Sequence, residues 1–142
     1  MSTEVRSPLD AKPSVGGVIK NGAIAGVIGV VVNAILYFIG SAMGAFPETV
    51  LNPAGQPITL VPVIMVTLIG AIAGTLGYLV LSRFMVKPLA NRWFTILAVI
   101  VLIGMAFTPF SLPGAPTSMI VFLEIMHVVI GGALIYFLPK SV

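Results

Sequence analysis

Four apolar runs, residues 22–43, 58–81, 93–110 and 117–138, constrain this chain more than anything else in it. Each is close to the roughly 20 residues needed to cross about 30 Å of hydrocarbon. A backbone in lipid has no water to bond, so runs this long must fold as helices; the shorter alternating strands of a barrel do not fit them. The expected fold is therefore all-α, a four-transmembrane-helix up-down bundle. Composition agrees, with 58 % hydrophobic residues, 8 % charged residues and a mean hydropathy of +1.17. Soluble domains carry about 25 % charged residues. The expected division is a flexible cytoplasmic tail over residues 1–18 and a membrane domain over 19–142, with no room for a large soluble unit.

The basic residues give the orientation. Arg6, Lys12 and Lys20 precede the first run, Arg83, Lys87 and Arg92 join the second to the third, and Lys140 follows the fourth. The other two connections carry none, so the positive-inside rule predicts both termini in the cytoplasm. Arg83, Lys87, Arg92 and the adjacent Trp93 are expected to anchor the chain at the membrane interface. The net charge of +3 is thus accounted for by insertion, and no nucleic-acid partner is expected. The small-residue run 41–45 would suit a signal peptidase, whose cut would remove the first span. That span, however, exceeds the roughly 7–15 apolar residues of a signal-peptide core.

Pro47, Pro53, Gly55 and Pro57 mark the first connection as a loop, and Pro113, Gly114 and Pro116 mark another. Pro62 falls in the first turn of the second span, where its missing N–H has no partner to lose. The third run is the shortest and makes a full crossing only if it continues toward Pro109. Gly22, Gly26, Gly29 and Gly40, on one stripe of the first span, and Gly70, Gly74 and Gly77 in the second are expected to let helices approach closely.

Polar residues inside the spans are few. Glu124 and His127 lie three apart, so on a helix they share a face, about 10 and 15 Å from Thr117. Asn33 and Tyr37 reach similar depths in the first span. An unpaired charge near mid-bilayer costs roughly 3 kcal/mol, which predicts pairing of Asn33 with His127 and of Tyr37 with Glu124 if spans one and four are neighbours.

Several functions compete for this polar site. A protonatable Glu and His inside a bundle are the minimum parts of a proton relay, although a substrate chamber would then require a homo-oligomer. Glu124-x-x-His127 is also half of a carboxylate-bridged di-metal motif, but one His and one intramembrane carboxylate are too few for it, and a bis-histidine haem would need a dimer. The absence of cysteine excludes disulfides and thiolate chemistry. With no Ser/His/Asp set and no phosphate loop, the expectation is a non-enzyme without cofactor or metal. Its partners would be the lipid bilayer and other membrane helices, in a homo-oligomer or a larger membrane complex, as a structural or accessory subunit.

The Gly/Ala-rich second span ending at Arg83, the basic turn before Trp93, Pro109 and above all Met126-His127 carry a family likeness. Over about residues 60–138 the chain resembles an uncharacterised family of small bacterial four-helix integral membrane proteins, a domain of unknown function. The resemblance implies a four-span bundle in a bacterial plasma membrane and brings no known activity. It makes His127 the best candidate for a shared role, while Glu124 stands where that pattern has an apolar residue.

Overall fold

The computed structural model describes residues 11–142 as four helices with no strand among them, α1 (Val15–Ala42), α2 (Leu60–Phe84), α3 (Lys87–Met105) and α4 (Thr117–Phe137). All four are long and apolar enough to cross a membrane. Contacts along their length run in opposite senses. Gly22 meets Thr75 and Gly29 meets Thr67 between α1 and α2, and Gly40 meets Phe122 and Gly29 meets Ile130 between α1 and α4. Adjacent helices are therefore antiparallel. α1 packs most extensively on α2 and α4, whereas α3 touches α2 and α4 less and lies across the bundle from α1.

α1 begins at Val15, ahead of the expected Gly22, because Ser14 caps it: its Oγ accepts a hydrogen bond of 2.9 Å from the Gly17 N–H. That bond satisfies one of the donors a helix N-terminus leaves free. The tail expected over residues 1–18 is thus shorter at its far end. Glu4, Arg6 and Asp10 lie outside the described residues, but Pro13 and Val18 are buried. Ser14 Oγ also donates to the Val142 carbonyl at 2.8 Å, Lys12 donates to the Arg83 carbonyl, and Arg83 donates to the Pro13 carbonyl. Asn21 Nδ2 bonds the Phe137 carbonyl at 3.0 Å and Ser141 Oγ at 3.2 Å, and Lys87 Nζ bonds the Ser141 carbonyl at 2.6 Å. These bonds lace together one end of the bundle, here termed the terminal face.

The third crossing gains its length from the basic connection ahead of Trp93. Pro88 stands in the first turn of α3, so Lys87 to Arg92 is wound into the helix, and Trp93 lies about 9 Å beyond its start. With 19 residues, α3 spans about 28 Å before the chain continues through a short 3-10 turn at Pro109–Ser111. Only Met85 and Val86, both extended, separate α2 from α3.

The opposite end, the loop face, carries the longer connections. α1 stops at Ala42, and Gly44 follows at φ +73, a left-handed conformation that a side chain would strain. Asn52 Oδ1 then accepts from the N–H groups of Ala54 and Gln56, closing a turn beneath an isolated bridge between Leu51 and Pro57. Ala45 and Val50 are buried, which seats this loop on the helix ends.

Candidate functional site

Close approach of α1, α2 and α4 creates the polar centre. A Cβ placed on Gly29 would stand 2.7 Å from Ile130 Cδ1 and 3.3 Å from Thr67 Cγ2, and one on Gly26 would stand 3.2 Å from Ala71 Cβ. The end of Ile130 would have to be pushed aside for a side chain at Gly29. One turn beyond it, Asn33 is 2 % exposed and reaches both neighbouring helices. Its Nδ2 donates to Thr67 Oγ1 at 3.0 Å and to the Met126 carbonyl at 3.2 Å.

Those partners determine which way the amide points. Thr67 Oγ1 donates its own hydrogen to the Val63 carbonyl at 2.7 Å, so toward Asn33 it can only accept. A backbone carbonyl also only accepts. The group facing both must therefore be the NH2, which leaves Asn33 Oδ1 without a partner. Glu124 Oε1 and His127 Nδ1 are likewise buried and unpartnered.

Neither expected side-chain pair forms. Spans one and four are neighbours, and Asn33 is at the expected level, about 14 Å from the loop face, as is Met126. Asn33 nevertheless takes the backbone carbonyl of Met126, and the His127 side chain lies about 100° farther round the helix. Tyr37 packs against Phe46, with ring centroids 5.1 Å apart, and Phe46 continues to Phe122 at 6.0 Å. Glu124 and His127 share the face of α4 that includes Gly131, where a Cβ would stand 2.6 Å from Leu102 of α3.

His127 borders a cavity of about 220 Å³ on the loop side of the bundle. Its wall is mostly apolar, with Leu102, Met105 and Met126 on it; Asn33, Thr67 and His127 are its polar members inside the spans, and Asn52 of the first loop lies at its other end. Glu124 is not on this wall. Of the two ionisable residues on this face of α4, only His127 therefore reaches the cavity. Among the described residues, no three His, Asp or Glu side chains come together as a metal would require.

The remaining candidate residues divide by what they touch. A Cβ on Gly22 would meet Thr75, one on Gly40 would meet Phe46 and one on Gly74 would meet Leu134, each within 2.6 Å. Gly70 has only Ile130, at 3.9 Å, and borders the cavity, while Gly77 has nothing within 4 Å. Arg83, Lys87 and Arg92 stand at the terminal face, as do Lys12, Lys20 and Lys140. Trp93 is 44 % exposed. Two tying residues are not among the sequence candidates: Thr67, which accepts from Asn33 Nδ2, and Tyr78, whose hydroxyl donates to Asn91 Oδ1 at 2.6 Å. Each is a polar group within or beside an apolar run, which is the signal that could have marked them.

Residues 13–142 match the model of a family of unknown function, DUF6069. No curated protein and no solved structure matches the chain.

Proposed function

Since the chain belongs to DUF6069, a family of unknown function, its role must be argued from its geometry, and we propose a non-enzymatic accessory subunit that packs against the helices of a larger membrane complex. The observation that carries this reading is the thin cover on α3. Only Ala90 and Phe94 of its 19 residues are buried. In its most apolar stretch 11 % of residues are buried, against 28 % for α1. Ile96, Val99, Ile100 and Ile103 are exposed at helical spacing along its outer side. Exposed apolar residues are ordinary in lipid, where packing contact drives helix association. What sets α3 apart is how little contact its own chain supplies, so a foreign helix has most to add there. The basic terminal face favours an orientation with both termini in the cytoplasm.

Native mass spectrometry of the full chain, extracted gently from its own membrane, tests the proposal. Co-isolation with different membrane subunits at fixed stoichiometry is the expected result. A monomer or pure homo-oligomer overturns it.

A second reading, a proton relay, is favoured by one observation: Glu124 and His127 occupy one face of α4, each with a buried atom that has no partner. Intramembrane ionisable groups of this kind mark proton pathways in many transporters. Under the accessory reading, liposomes containing the protein show no proton flux above protein-free liposomes. Flux that disappears in both Glu124→Gln and His127→Asn would replace that reading with a relay.

A further inference from the structure

α1 and α2 leave an apolar groove on the outer side of the bundle, and it runs toward the basic end. Its floor lies where Gly22 meets Thr75 and Gly26 meets Ala71, the points at which the two helices come closest. Ile19, Ala23 and Val27 of α1 and Ile72, Leu76 and Leu79 of α2 form its walls. All of these but Leu79 are exposed, so the groove opens to the membrane. On α2 it extends from Leu68 to Leu79, about 16 Å, which is close to half of the roughly 30 Å hydrocarbon core. A space of about 390 Å³ with the depth of one leaflet suits a lipid chain.

Cations stand at one end of this groove. Arg83 follows Leu79 by four residues, so it lies on the same side of α2, one turn nearer the terminal face. Its guanidinium donates to the Pro13 carbonyl while Lys12 donates to the Arg83 carbonyl, which holds the two cations together at the groove's mouth. Lys20 stands on the α1 side, beside a shallow depression that shares Ala23 and Val27 with the groove. The pairing of Gly22 with Thr75 puts Lys20 about 9 Å deeper than Arg83, a gap that its stem shortens by running along the apolar wall toward the headgroups. All three side chains are exposed. An ammonium has three donors and a guanidinium five, so the backbone bonds of Lys12 and Arg83 leave others free.

Nothing described at this mouth opposes an anion. Among the described residues the acidic side chains are Glu48, in the first loop, and Glu124, in the loop-side half of α4. Val142 lies against Gly17, about 160° round α1 from Ile19, and its carbonyl is taken by Ser14.

We propose that this groove holds one acyl chain of an anionic phospholipid, with the phosphate-bearing headgroup at Lys12, Lys20 and Arg83. Charge selects this occupant. Membrane helices carry their own Lys and Arg at the same end, so a partner helix laid in the groove sets like charges side by side. A second copy related by a twofold axis brings the two Lys20 ammonium groups together. A zwitterionic lipid fills the groove as well, but its own cation offsets the attraction. The site does not depend on the accessory reading, since every group in it belongs to one chain and α3 lies across the bundle.

The test is native mass spectrometry of the full-length protein in detergent, titrated with dioleoyl phosphatidylglycerol or with dioleoyl phosphatidylcholine, which has the same chains. The expected result is a one-to-one complex that half-forms at about tenfold lower concentration with phosphatidylglycerol. Lys20→Gln is expected to reduce that preference about fivefold. Arg92→Gln removes the same charge from the terminal face on α3 and is expected to leave the preference unchanged. Ala23→Phe, whose ring enters the groove from an exposed position, is expected to abolish the phosphatidylglycerol complex without lowering the melting temperature.

Equal half-formation with the two lipids overturns the proposal. An equal loss in Lys20→Gln and Arg92→Gln also overturns it, because the charge of the whole face then attracts the lipid and no site is needed. Phosphatidylglycerol binding that survives Ala23→Phe would leave the chain outside the groove. A lipid-free dimer that Ala23→Phe dissociates would give the groove to a second copy instead.

Discussion

Replacing Tyr78 with alanine is expected to cost about 3–4 kcal/mol and to release α3 from the bundle. Tyr78 is fully buried, its ring meets that of Phe94 edge-on with centroids 5.2 Å apart, and its hydroxyl donates to Asn91 Oδ1 at 2.6 Å. Asn91 Nδ2 reaches on toward the Pro139 carbonyl at 3.5 Å. One side chain on α2 therefore holds the best-packed part of α3, whose buried residues are Ala90 and Phe94. The change leaves a void where the ring stood and an unsatisfied amide beside it. Water exclusion contributes little between helices in lipid, so the loss comes from packing contacts and the hydrogen bond. Tyr78→Phe keeps the ring and is expected to cost about 1 kcal/mol. Unfolding measured in bilayers by steric trapping would check both values. A Tyr78→Ala loss no larger than that of Tyr78→Phe would mean that the ring does not hold α3.

Gly22→Ala is expected to destabilise the α1–α2 interface by about 2–3 kcal/mol, a large effect for one methyl group. The added Cβ would stand 2.1 Å from Thr75 Oγ1, 2.7 Å from its Cγ2 and 2.9 Å from its Cβ. Turning the Thr75 side chain cannot relieve this contact, because its Cβ is fixed by the backbone. Its hydroxyl is also held by a 2.7 Å bond to the Ala71 carbonyl. The helices must separate. Gly77→Ala makes the same chemical change in α2, where a Cβ meets nothing within 4 Å. It is expected to be neutral or to stabilise by up to about 1 kcal/mol through helix propensity. Thermal unfolding of the two variants side by side would test this contrast. Similar melting temperatures would show that the α1–α2 contact is looser than these distances indicate.

These contrasts mark how far the sequence could be read. Gly22 and Gly77 are indistinguishable as letters in apolar runs, and the small-residue rule gives both the same role. Their difference lies in whether a neighbouring helix turns Thr75 or open lipid toward them. The same holds for Glu124 and His127. A spacing of three puts them on one face of α4, but where that face meets the cavity depends on where α2 and α3 stand.

What the sequence by itself determined is the transfer of segments into lipid. Four crossings, helical structure, the fourth span starting at Thr117 and loops rich in proline and glycine all follow from local hydropathy and backbone chemistry. Even there the ends of α1 and α3 were displaced, because Ser14 as a cap and Pro88 as a first-turn residue extend helices through polar stretches that hydropathy reads as loops. The tertiary structure alone decided the pairings. Asn33 bonds the carbonyl of Met126 instead of the side chain of His127, a difference of one residue and about 100° around α4. Partition into the membrane is a property of each segment separately. Rotation about the helix axis is set by neighbours, through contacts such as Gly29 on Ile130 and Gly131 on Leu102, and with it come the cavity and the unpartnered atoms beside it.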